Sequence, residues 1–79
     1  MRILIVDDEP LVRRSLKRAA EIRGHEVRLA SNGLEGKVEW QSFNPDIVFV
    51  DVLMPVMDGP TLLAQKPQES AAGIIMISA

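Results

Sequence analysis

Two four-residue runs, Ile3-Leu4-Ile5-Val6 and Ile47-Val48-Phe49-Val50, are apolar without a break, and both end on acid: Asp7 and Asp8 after the first, Asp51 after the second. A run this short is no helix, and one that does not alternate is no half-wet strand. Such runs are strands covered on both faces, as in parallel sheets whose crossover helices lie above and below. The rest of the chain must then supply those helices, and 79 residues suffice for one domain with a marginal core.

The intervening segments fit that demand. Pro10 suits a first helical turn, with Asp8 or Glu9 available to cap the free amides. Val12, Leu16, Ala19 and Ala20, with Leu11 beside them, form an apolar stripe, while Arg13, Arg14, Lys17, Arg18 and Glu21 face away; Gly24 is the stop signal. His25 to Ala30 alternates, with Val27 and Leu29 on one side, and predicts a half-covered strand near a sheet edge. A turn at Ser31-Asn32-Gly33 leads to a second helix over Leu34 to Phe43, whose weak stripe is Leu34, Val38 and either Trp40 or Phe43, with Gly36 as an internal cost. Asn44-Pro45 ends it before the second apolar strand. A loop with Pro55 and Asp58-Gly59-Pro60 follows, then a short helix over Thr61 to Lys66 that Pro67 must break, and a last apolar strand over Ile74 to Ile77. Alternating strands and helices predict an α/β fold: a parallel sheet with helices on both faces.

Composition excludes several classes. No apolar run approaches the length that crosses a membrane, and the absence of cysteine removes disulfides and thiolate metal sites. No signal-peptide layout opens the chain, so a reducing cytoplasm is the expected location. Basic charge gathers early, with 7 basic and 5 acidic side chains in residues 1 to 28 against 2 and 6 afterwards. A basic first helix in a chain of pI about 5.2 does not make a nucleic-acid surface.

In an open parallel sheet, function gathers at the carboxyl ends of the strands, where the strand order reverses. With the first and third strands adjacent, Asp7, Asp8 and Asp51 meet in one crevice although 43 to 44 residues separate them in sequence. Three such acids repel unless a hard cation lies among them, and Mg²⁺, which takes carboxylates, waters and phosphate oxygens, suits the set. Singly, each piece is ordinary: Asp8 a helix cap, Asp58-Gly59 a turn, Met54 and Met57 gap fillers, Trp40 packing or surface, His25 a surface residue.

In combination, the acidic pair in "VDDEP", Asp51 in "VFVDVLMPVMDG" with Pro55 and Gly59 beyond it, and the terminal "ISA" closely resemble the receiver domain of bacterial response regulators. The resemblance implies a flavodoxin-like fold, incomplete here with strand order 2-1-3-4, and spans residues 1–79 as about two-thirds of such a domain. It implies that Asp51 accepts a phosphoryl group from a sensor histidine kinase or histidine phosphotransfer protein. Asp8, Asp51 and the Leu53 carbonyl would hold Mg²⁺, Asp7 would reach the ion through water, Ser78 would hydrogen-bond the phosphoryl group, and Ala79 would leave room for it. Such a module is regulatory, not an enzyme with its own substrate, and the exposed side of the first helix is similar to the family's kinase-docking surface. The family's fifth-strand lysine has no counterpart, since Lys17, Lys37 and Lys66 lie on or beside helices.

Rival chemistries fit less well. A Mg²⁺-dependent phosphohydrolase of this kind needs a second acid at position 53, which is Leu, and a dinucleotide site needs a glycine-rich turn where Asp7-Asp8-Glu9-Pro10 stands. The remaining alternative is a truncated receiver without phosphotransfer, acting only through association. Ile74 to Ile77 would form an uncovered apolar edge, so a homo-oligomer is expected, through the edge of that strand or through the open sheet face.

Overall fold

A computed structural model describes residues 1–54 and 57–77; Pro55, Ser78 and Ala79 lie outside them. The elements are β1 (Arg2–Val6), α1 (Pro10–Ile22), β2 (Glu26–Ala30), α2 (Gly33–Phe43), β3 (Ile47–Asp51), α3 (Gly59–Ala64) and β4 (Gly73–Ile77). All the pairings are parallel, in the order β2-β1-β3-β4. Ile3 pairs with Ile47 and Val6 with Val50, so β1 and β3 end level with each other.

The main core lies on one face of the sheet. Leu4, Val6, Val48 and Val50 point there and pack with Ala30, Met54, Trp40 and Phe43 of α2 and Leu62 of α3. On the other face, Ile3 and Ile5 are buried beneath α1, which rests on β1 and β2. β1 is thus closed on both sides, as its unbroken apolar run predicts. β3 is not: Ile47 and Phe49 stay half-buried because α1 does not reach across them. The Ile75 side chain of β4, level with Phe49, is exposed on that same open face.

The helices correct the expected stripes in detail. On α1, Val12, Leu16 and Ala20 are half-buried, but Leu11 and Ala19 turn to solvent because one residue is 100° of helix, off the sheet-facing line. Gly24 takes a φ of 84°, and its amide donates to the Glu21 carbonyl at 2.9 Å, which closes the helix end. On α2 the expected anchors are outside: Leu34 is 54% and Val38 63% exposed, whereas Gly33, Gly36, Trp40 and Phe43 are buried. A Cβ on Gly36 would lie 3.1 Å from the Val6 methyls, so its bareness lets the helix approach the sheet. The helix start is fixed by Asn32, whose Oδ1 accepts the Glu35 amide at 2.9 Å, and by the Glu35 carboxylate, which accepts the Ser31 amide and hydroxyl. Those two bonds hold the Glu35 carboxyl below its ordinary range.

Asp58 caps α3 by accepting the Thr61 amide at 2.8 Å, and the Thr61 hydroxyl together with that amide holds its carboxyl below the usual value. α3 ends at Ala64, before Pro67, so the proline follows the helix and breaks nothing. Downstream, the buried Trp40 indole N–H donates to Ser70 Oγ at 2.9 Å, and that oxygen accepts the Ala72 amide at 3.2 Å. This ties the segment before β4 to α2. Ser70→Ala leaves the indole N–H unpaired in the core and should cost about 1–3 kcal/mol by urea denaturation. Adding Trp40→Phe should then cost clearly less than Trp40→Phe alone; strictly additive losses would show that the hydrogen bond contributes nothing.

Candidate functional site

The three acids predicted to converge do so. Asp7 and Asp8 follow the end of β1 and Asp51 ends β3, and one carboxylate oxygen from each lies within 4.8 Å of the others. Asp7 is buried, at 5% exposure, and its Oδ1 accepts the Glu9 amide at 2.9 Å in a turn closed by its own side chain. Neither Asp8 nor Glu9 caps α1 through its side chain, against expectation. The Glu9 amide instead donates to Asp7, and Pro10 at the first helical position has no amide to satisfy. Asp8 is exposed and keeps its carboxylate free for the crevice.

Asp51 is half-buried, and its Oδ1 accepts the Leu53 amide at 3.1 Å. Removal from water raises its carboxyl above the ordinary value, and the charges of Asp7 and Asp8 push the same way; the Leu53 bond opposes them. Leu53 itself is 77% exposed beside this carboxylate. Among the described residues the ion pairs are Arg2 with Glu26 and Arg28 with Glu39, and neither involves the three acids. One guanidinium does come near: Arg13, expected to face water, donates from Nη1 to the Asp7 carbonyl at 2.7 Å. It holds the turn rather than neutralising a carboxylate.

The donor set fits a hard divalent ion. Its members are all oxygens, they carry excess negative charge, and they stand at strand ends that the core fixes in place. Asp7, Asp8 and Asp51 are the groups among the described residues that could hold Mg²⁺. Ser78 and Ala79 fall outside the described residues.

Fold and site together define an open parallel α/β domain with an acidic crevice at the carboxyl ends of its two central strands. The chain matches the model of the response regulator receiver domain over residues 3–79 and belongs to that family. It is 41% identical over 78 residues to a protein-glutamate methylesterase/protein-glutamine glutaminase of Rhodospirillum rubrum, covering 98% of this chain and 21% of that protein. It is also 41% identical to a probable transcriptional regulator, ycf27, of Porphyra purpurea, covering 99% of this chain and 32% of that one. The chain therefore spans between a fifth and a third of these relatives. Among solved structures, the response regulator protein TrrA of Thermotoga maritima, in complex with Mg²⁺ and BeF, superposes with a TM-score of 0.89 at 37% identity, covering 99% of this chain and 69% of that one. No helix among the described residues is long and apolar enough to cross a membrane.

The raised Asp51 value has a definite sign in stability. The folded protein binds a proton here more readily than the unfolded chain, so stability falls as pH rises from the ordinary carboxylate range through the raised value. With a chelator present, Asp51→Asn should therefore raise the thermal midpoint at neutral pH. That advantage should shrink as pH falls back through the window. A variant no more stable than wild type at neutral pH would contradict this account of the crevice.

Proposed function

We propose that the chain is a phosphoacceptor receiver module of a two-component system, in which Asp51 takes a phosphoryl group from the phosphohistidine of a sensor kinase or histidine phosphotransfer protein. The observation that carries this reading is the meeting of Asp7, Asp8 and Asp51 within 4.8 Å, with none of the three in an ion pair among the described residues. Asp51 Oδ2 forms a bond to phosphorus as the donor's N–P bond breaks, and the imidazole keeps the electron pair and takes a proton from solvent. Removal from water, and then crowding by Asp7 and Asp8, makes the Asp51 oxygens more basic and so better nucleophiles. The Leu53 amide on Oδ1 keeps the carboxylate turned so that Oδ2 is presented. Asp8, Asp51 and the Leu53 carbonyl would hold Mg²⁺, with Asp7 reaching it through water, and the ion would supply the positive charge that lets anionic groups approach each other. Ser78 hydrogen-bonds the transferred group, and Ala79 leaves it space.

The kinase-side partner docks on α1, where exposed Leu11 is bordered by Arg14 and Arg18. The role is regulatory and the setting cytoplasmic; neither nucleic acid nor membrane is contacted directly. Incubation with acetyl phosphate and Mg²⁺ should add one phosphoryl group to the intact mass of the wild type and none to Asp51→Asn. Ser78→Ala should slow the transfer and leave Mg²⁺ binding nearly intact. Mapping of the acyl phosphate to Asp7 or Asp8 would overturn the acceptor assignment, and no mass gain at all would leave the module acting by association alone.

Self-association follows from β4, the outer strand, where Ile74, Ile75 and Met76 are 37%, 43% and 40% exposed. Burying such side chains is worth about 1.5–3 kcal/mol each when complete, which favours pairing with a second copy along that edge or across the open face. Sedimentation of the 79-residue chain should show a homo-oligomer that Ile75→Lys dissociates. A stable folded monomer at micromolar concentration would rule this out.

A further inference from the structure

Arg13 is the fourth residue of α1, a place where a cation is ordinarily disfavoured because the free amides of a helix start carry partial positive charge. It stands beside the turn that carries Asp7 and Asp8, yet the ion pairs among the described residues lie elsewhere. Its Nη1 donates instead to the Asp7 carbonyl at 2.7 Å, six residues back along the chain. Helical side chains lean toward the helix start, so a long one at this position reaches over the first turn to the segment before it. Arg13 is half-buried, unlike its exposed neighbour Arg14, so the bond is made by a side chain laid against the protein.

That bond completes a series of restraints through the turn. Three peptide units link Val6 to Glu9. The first is tied by the Asp7 amide, which donates to the Ala30 carbonyl at 3.1 Å, and the third by the Glu9 amide, which donates to Asp7 Oδ1 at 2.9 Å. The middle unit joins the two acids. Among the described residues its Asp8 amide donates to nothing, and the Arg13 guanidinium on its carbonyl oxygen is its one hydrogen bond. A peptide unit is planar, so a restraint on the oxygen restrains the direction in which the Asp8 Cα leaves Asp7. Asp8 is exposed, and no surrounding core sets that direction in its place.

We propose that Arg13 is a positioning residue for the acid crevice: by holding the peptide between Asp7 and Asp8, it aims the Asp8 carboxylate at the cation. This rests on the reading that Asp8 and Asp51 hold a divalent cation. A positively charged side chain that contributes no ligand, and that repels the ion, thereby strengthens its binding.

Positioning and charge predict opposite signs. Were Arg13 only a nearby cation, its removal would relieve repulsion and tighten Mg²⁺ binding, most of all at low salt. Arg13→Met keeps an apolar stem and loses both donor and charge. It should weaken Mg²⁺ about 10-fold or more by calorimetric titration, the scale typical of losing support behind a ligand. In the metal-free protein, the Asp8 N–H order parameter from ¹⁵N relaxation should fall from the rigid-backbone level of about 0.85 toward the flexible range below about 0.6, while that of Val6 holds. Arg13→Lys, with a donor on a shorter stem, should recover part of both. Lys17→Ala, which removes a charge one turn further along α1, is the control and should leave both readouts near wild type. Arg13→Ala serves if Arg13→Met does not fold. Wild-type or tighter Mg²⁺ binding without the guanidinium, unchanged order at Asp8, or equal weakening by Lys17→Ala overturns the role of Arg13. Failure of the wild type itself to bind Mg²⁺ overturns the cation site, and the role of Arg13 in it, at once.

Discussion

The parallel register of β1 against β3 is the constraint on which the rest depends. Because Val6 stands opposite Val50, the residues just beyond them, Asp7 and Asp51, leave the sheet side by side. A slip of one residue would turn Leu4, Val6, Val48 and Val50 away from α2 and α3 and exchange buried faces for wet ones. The register is therefore secured by apolar packing, and the carboxylates are held together against their mutual repulsion by a core that touches none of their charges. Removal of the Asp51 carboxyl from water, with the charges of Asp7 and Asp8 beside it, raises its value above the ordinary one.

Much of this was legible in the sequence because it depends on period and punctuation. Unbroken apolar runs ending on acid specified the central strands, alternation at Val27 and Leu29 specified an edge, and the strand-helix order specified parallel pairing. α2 was misread in orientation, since its buried line runs through Gly33 and Gly36, and a glycine read as a propensity cost gives no hydrophobic signal. β3 looked identical to β1 in composition, yet the helix over the second face stops short of it. Periodicity reports what a strand could bury, not what arrives to cover it.

At the site, the convergence of Asp7, Asp8 and Asp51 followed from strand ends alone, but the division of labour between them did not. Asp7 spends an oxygen on the Glu9 amide and becomes a fixed, buried member, while Asp8 stays exposed and caps nothing through its side chain. Arg13 seemed one of a solvated basic row; its bond to the Asp7 carbonyl needs the turn geometry before it can be foreseen.

The two faces of the sheet also differ in depth. The α2 and α3 side holds Trp40, Phe43, Leu62 and Met54 in a continuous cluster, whereas α1 contributes no fully buried residue. Local opening is governed by the apolar surface that each unit hides, so α1 can lift from the sheet at a lower free energy than α2. By that measure the strand ends that carry Asp7 and Asp51 should exchange slowly, and the basic helix beginning two residues after Asp8 should exchange faster. The acid crevice thus lies between a deeply packed floor and a more thinly packed wall.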